Sequence, residues 1–248
     1  MRAMILAAGL GTRLKPFTDH HPKALAIVNG KSLLQRNIEY LQQYGIYDVV
    51  VNVHHFADQI IDAVEKNNGW GSVVTISDET DEVLETGGGL VRAKNYFIEE
   101  ERWILMNADI LTDLPLDRMI AADEIFDAKA EGDLVATLAV TNRTTSRNLI
   151  FNTAGTLCGW KNNTTSEEKW ANPLKDKSTA VPKAFSGIHI VHQAFFDAVQ
   201  LSGKFSMIDA YLQLAQHYAI HYFDHSDGIL LDVGKPESLE KANSLFKP

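Results

Sequence analysis

The chain has 248 residues, with 23 Lys and Arg against 32 Asp and Glu, a formal charge of −9 at pH 7 and a single cysteine, Cys158. The acidic excess repels polyanions and anionic bilayers, so neither nucleic acid nor membrane is expected as a partner, and one thiol excludes an internal disulfide framework or a Cys-rich zinc site. No long apolar run is present and the chain opens on strand-like residues, not a charged leader, so a cytoplasmic location is expected.

In chain order, residues 2–8 read as a short buried strand and 32–44 as a helix that stops at Gly45. Strands follow at 48–53 and 72–76, separated by a helix at 56–67 with Ile60, Ile61 and Val64 at helical spacing. A helix at 90–97, an apolar strand at 103–106, an amphipathic helix at 116–129 and a strand at 133–140 complete the first half. Such alternation predicts an α/β, doubly wound, mostly parallel (mixed) sheet with ligands at the carboxyl ends of its strands. The second half is less regular. Residues 141–183 are polar, with strand candidates at 148–151 and 156–160, and read as an insertion over the sheet, a flap. A strand at 184–191, helices at 193–201 and 207–217, a strand at 228–233 and a helix at 236–245 close the chain.

The loop Gly9-Leu10-Gly11-Thr12-Arg13-Leu14 follows the first strand directly, where backbone N–H groups are free to face an anion. A dinucleotide fingerprint would need a third glycine at Leu14, and a P-loop ending on Gly30-Lys31-Ser32 would need one at Leu25, so both readings fail. Three consecutive glycines in Leu84-Glu85-Thr86-Gly87-Gly88-Gly89 allow positive φ and close backbone approach, as a flat base lying on main chain requires. Asp109 and Asp232 each come just after an apolar strand. His20-His21, His54-His55 and His217, His221 and His225 form no zinc motif, and Ser186, in Phe-Ser-Gly, is no nucleophile elbow.

Gly9, Gly11, Thr12, Arg13, Leu14, Pro16, Thr18, Pro22 and Lys23 complete the pattern G-x-G-T-R-L-x-P-x-T-x-x-x-P-K. With Asn107-Ala108-Asp109, Phe185-Ser186-Gly187 and Asp232-Val233-Gly234 in order, the chain resembles the sugar-1-phosphate nucleotidyltransferases. The L-E-T-G-G-G turn looks most like N-acetylmuramate-1-phosphate uridylyltransferases, with mannose-1-phosphate guanylyltransferases close behind. The resemblance implies a single Rossmann-like, GT-A-like domain with a nucleotide-binding half at 1–140, the insertion at 141–183, and a sugar-binding half with the second metal ligand at 184–248. It implies a nucleoside triphosphate and a sugar 1-phosphate as partners, best UTP with N-acetylmuramate 1-phosphate, in a monomer or small homo-oligomer.

By the same resemblance Arg13 clamps the triphosphate, Lys23 holds the sugar phosphate and α-phosphate, and Asp109 and Asp232 bind Mg²⁺. Arg13, Lys23 and Asp109 form the implied catalytic set. Ala8, Gly9, Gly11, Thr12, Glu85, Thr86 and Gly87 join Arg13 around the nucleotide. Asn107, Glu85, Ser186, Gly187 and Asp209 join Lys23 around the sugar, Asp209 having a helix cap as its alternative. Two rivals remain: an inactive nucleotide-sugar sensor of the same fold, which would lack one of the four charged groups, and a glycosyltransferase, which would carry D-x-D where this chain has Asn107-Ala108-Asp109.

Overall fold

Residues 1–130, 133–174 and 176–247 are described by the computed structural model, so residue 175 of the expected insertion and residue 248 lie outside the described residues. The elements run β1 (Ala3–Leu6), β2 (Ile27–Val28), β3 (Lys31–Ser32), α1 (Leu33–Gln42), β4 (Asp48–Val53), α2 (Ala57–Lys66), β5 (Val73–Asp78) and α3 (Glu85–Arg92). They continue with β6 (Arg102–Asn107), β7 (Ile110–Thr112), α4 (Leu116–Ala130), β8 (Leu134–Thr141), β9 (Arg147–Phe151), β10 (Leu157–Asn162) and β11 (Glu168–Trp170). The last are β12 (Val181–His192), α5 (Ala194–Ala198), α6 (Met207–Leu214), β13 (Ala219–Asp224), β14 (Leu230–Asp232) and α7 (Pro236–Leu245).

Strands rich in Val, Ile and Leu are buried on both faces, which suits a sheet covered by helices on either side. In β1, Ala3 and Ile5 pack with Val49, Val51, Leu34 and Ile38, while Met4 and Leu6 face Val50, Leu105 and Tyr211 on the other side. β5, β4, β1 and β6 lie side by side and parallel, antiparallel β12 follows, and β8 and β13 extend the sheet beyond it. The chain leaves β1 toward β4 and returns on its other side as β6, so the sheet's switch point is the carboxyl end of β1. The expected mixed, mostly parallel doubly wound sheet is present.

The α1 helix starts where Ser32 Oγ accepts from Gln35 N at 3.1 Å. Three readings change. The helix expected at 90–97 begins earlier, at Glu85, and takes in the three glycines. The insertion is not a flap: β9 pairs with the start of β12, β10 and β11 continue from it, and Leu149, Phe151 and Leu157 are buried in the main core. Strands β7, β11 and β13 were not legible, because two are three residues long and β13, Ala-Ile-His-Tyr-Phe-Asp, mixes polar and apolar side chains. Among the described residues no helix is long and apolar enough to cross a membrane.

Candidate active site

The loop after β1 is held from two sides. Asn52, near the end of β4, accepts from the backbone N–H of Ala7 at 2.7 Å and of Ala8 at 3.3 Å. Gly11 has φ +62°, and a Cβ there would lie 2.8 Å from Thr18 Cγ2 and 3.1 Å from Lys23 Cβ. The missing side chain therefore lets the segment to Lys23 fold back against the loop, where Thr18 Oγ1 donates to Gly11 O at 2.9 Å. Leu14, the residue that spoils a dinucleotide fingerprint, is buried with Val28, Leu33, Leu111, Leu231 and Val233. It anchors the loop to the β7–β14 pair.

That pair carries the acids. β14 runs antiparallel to β7 with Asp232 opposite Ile110, and Val233 N donates to Asp109 O at 2.8 Å. Lys23 Nζ is ion-paired with Asp109, and Arg13 Nη2 lies 3.9 Å from Asp232 Oδ2. Gly234 makes room, since a Cβ there would stand 2.6 Å from Asp232 Oδ1 and 3.0 Å from Arg13 Nη2. Tertiary structure thus brings the four charged groups into one neighbourhood.

A cleft of about 530 Å³ opens there. Ala8, Gly9, Gly11, Thr12, Arg13 and Lys23 line it, with Asn107, Asp109, Glu85 and Thr86. Asp232 Oδ1 is buried without a hydrogen-bond partner. A buried carboxylate oxygen without a donor is costly unless a cation meets it. No group of three or more His, Cys, Asp or Glu in metal-binding arrangement occurs among the described residues. Asp109 and Asp232 alone would suit Mg²⁺, which takes one or two carboxylates and completes its shell with phosphate and water.

Other expected site residues lie elsewhere. Gly87 to Gly89 are buried in the first turns of α3, none has positive φ, and none lines the cleft. Their missing side chains are filled by protein: a Cβ on Gly87 would overlap the Phe205 ring, one on Gly88 the carbonyl of Gly203, and one on Gly89 would lie 2.7 Å from Glu79 Oε1. Ser186 is fully buried, with His225 Nε2 2.8 Å from its hydroxyl, and does not line the cleft. Gly187 is buried beside Asn107, whose Nδ2 a Cβ would approach at 2.8 Å. Asp209 lines a second cavity of about 450 Å³ with Arg147, Asn148, Trp160, Lys169 and Phe185. Its Oδ2 accepts from Ser206 Oγ at 2.7 Å and its Oδ1 is 3.3 Å from Lys169 Nζ. Donation by Ser206 holds the Asp209 carboxyl below its ordinary value. The α6 cap is Ser206, whose Oγ accepts from Asp209 N at 3.1 Å.

Asn52, His54, Glu79, Lys204 and Ser206 also line the cleft, and none of them was expected at the site. Glu79 follows β5 directly, is 1% exposed, and accepts from Asn52 Nδ2 at 2.8 Å. Burial pushes its carboxyl above the ordinary value. The signal available for Asn52 and Glu79 was position: Asn52 is a polar residue at the carboxyl end of a predicted strand, and Glu79 comes three residues after the end of the next one.

A mixed α/β sheet with a glycine loop, two cations and two carboxylates at its switch point defines a nucleotide-handling fold. Residues 2–149, more than half of the chain, match the Nucleotidyl transferase family, and the chain belongs to it. It is 45% identical over 94 residues to N-acetylmuramate alpha-1-phosphate uridylyltransferase of Caulobacter vibrioides, covering 37% of this chain and 38% of that protein. It is 24% identical over 254 residues to mannose-1-phosphate guanyltransferase 2 of Candida glabrata, covering 99% of this chain and 64% of that one. The aligned part of the chain therefore spans less than two thirds of either curated relative. The structure is similar to that of HddC from Yersinia pseudotuberculosis complexed with GMP-PN, at a TM-score of 0.76, 25% identity and 99% coverage of both chains.

Proposed function

We propose that the protein transfers a nucleotidyl group from a nucleoside triphosphate to a sugar 1-phosphate and releases pyrophosphate. The observation that carries this reading is the convergence of Arg13, Lys23, Asp109 and Asp232 at the glycine loop. In the reaction an oxygen of the sugar phosphate attacks the α-phosphorus while the bond to the bridging oxygen of the β-phosphate breaks, and pyrophosphate leaves with the electron pair. Two anions must meet, so most of the catalytic work is positioning and neutralisation. Arg13, with its side chain 60% exposed, is free to fork onto the triphosphate. Lys23, bound to Asp109 in the free protein, would exchange that partner for the two reacting phosphates. Mg²⁺, held by Asp109 and Asp232, would supply Lewis-acid polarisation of the phosphate.

For the substrates, UTP and N-acetylmuramate 1-phosphate are the preferred pair, supported by the 45% identity over 94 residues to a uridylyltransferase of that specificity. Glu79 adds a chemical reason. Glu79 lines the same cleft as Ala8 and Gly9, and its carboxyl would accept from a ring N–H, which uracil, thymine and guanine possess and cytosine and adenine lack. GTP with mannose 1-phosphate is the second reading, favoured by alignment to a guanyltransferase across 99% of the chain. Purified protein with Mg²⁺, each nucleoside triphosphate in turn and a panel of sugar 1-phosphates tests both. Pyrophosphate release with UTP and N-acetylmuramate 1-phosphate supports the first, release with GTP and mannose 1-phosphate the second, and no release with any pair removes the proposal.

A further inference from the structure

Two helix starts cap each other across the site. The first N–H groups of an α-helix have no partner within it. In α3 those of Gly87 and Gly88 donate to Phe205 O at 2.9 and 3.2 Å. In α6 that of Met207 donates to Thr86 Oγ1 at 2.9 Å. Phe205 N closes the clasp on Leu84 O at 3.1 Å. Only glycine fits at 87 and 88, because side chains there would occupy the space of Phe205 and of the Gly203 carbonyl. Leu84 and Thr86 line the nucleotide cleft, Asp209 lines the second cavity, and Ser206, the α6 cap, lines both.

We propose that Thr86 is a positioning residue: by holding the Met207 N–H it sets the register of α6, and through Ser206 and Asp209 the geometry of the sugar side of the site. This rests on the transferase reading given above. Met207 is 2% exposed, so its N–H without Thr86 would be a buried donor with nothing to bond. The start of α6 would have to shift to reach water. Ser206 and Asp209 would shift with it, whereas the Gly9 to Lys23 loop, held by Asn52 and Thr18, would not.

The test uses Thr86→Val and Thr86→Ser in the full chain. Thr86→Val is expected to raise KM for the sugar 1-phosphate roughly tenfold, and by more than it raises the Kd for nucleoside triphosphate alone, because Ser206 and Asp209 are the groups displaced. Thr86→Ser, which keeps the hydroxyl, is expected to restore the wild-type KM. Weakened triphosphate binding with an unchanged sugar KM would make Thr86 a direct nucleotide contact and overturn the proposal, as would Thr86→Ser behaving like Thr86→Val. Amide hydrogen exchange provides a reading without turnover. Met207 is expected to exchange faster in Thr86→Val than in wild type, and equal rates overturn the clasp even if the wild type proves inactive on every substrate pair. Should Thr86→Val fail to fold, Ser206→Ala is expected to raise the same KM, and an unchanged KM for that variant counts against the proposal.

Discussion

The two glycine-rich segments look alike in sequence and do opposite things. Around Gly9 the chain is open: a Cβ there would meet no atom within 4 Å, and the loop faces the cleft. At Gly87 to Gly89 the chain is shut, each glycine vacating space that Phe205, Gly203 or Glu79 fills. The first segment leaves N–H groups for a ligand, and the second spends its first N–H groups on the protein's own carbonyl. Glycine content therefore reports a need for close approach without saying what approaches.

The sharpest way to break this contrast is to remove the charge that the open loop faces. Asp109→Asn or Asp232→Asn should lower kcat by about a thousandfold or more, roughly 4 kcal/mol of barrier, with an unchanged far-UV spectrum. Steady-state pyrophosphate release measures it, and near-normal turnover in either variant would detach the loop from the chemistry. The next effect belongs to the shut region, where α6 is also tied to the sheet through His189 Nδ1 and Tyr211 OH, 2.7 Å apart. Burial lowers His189 from 6.5 to about 3, so it stays neutral in the folded chain while the unfolded chain takes up its proton. Its contribution is complete above pH 6.5 and is lost as pH falls from 6.5 toward 3. Urea denaturation between pH 6 and 4 should show His189→Gln shedding about 1.4 kcal/mol per pH unit less stability than wild type.

Smaller effects separate the glycines themselves. Gly88→Ala forces a Cβ against the Gly203 carbonyl and should cost about 2 kcal/mol of stability, read from the denaturation midpoint. Gly9→Ala meets no neighbour and should change stability by less than about 0.5 kcal/mol. Equal costs at the two positions would erase the distinction.

Much of the scaffold was legible because its signals are local. β4 and α7 fall where periodicity puts them, and α1 starts just after Ser32, whose hydroxyl caps it. The same holds for the motif from Gly9 to Lys23, whose Gly11 carries the left-handed φ its neighbours require. Ser186, which the resemblance puts at the sugar, has a buried side chain beside His225, a partner 39 residues away that no local window contains. Glu79 and Asn52 went unseen because one charged and one amide residue near strand ends carry no pattern of their own.

By itself the sequence determined the alternation of elements and the glycine loop after the first strand, properties of residue type and short-range spacing, while the four charged groups were singled out by the family resemblance of the motifs that hold them. Only the tertiary structure decided that Asp232 lies beside Ile110, that the residues at 147–170 extend the sheet, and that the glycine run is filled by Gly203, Phe205 and Glu79. Those outcomes depend on contacts between segments up to more than a hundred residues apart, where chain entropy is overcome by packing and hydrogen bonding that no local window contains.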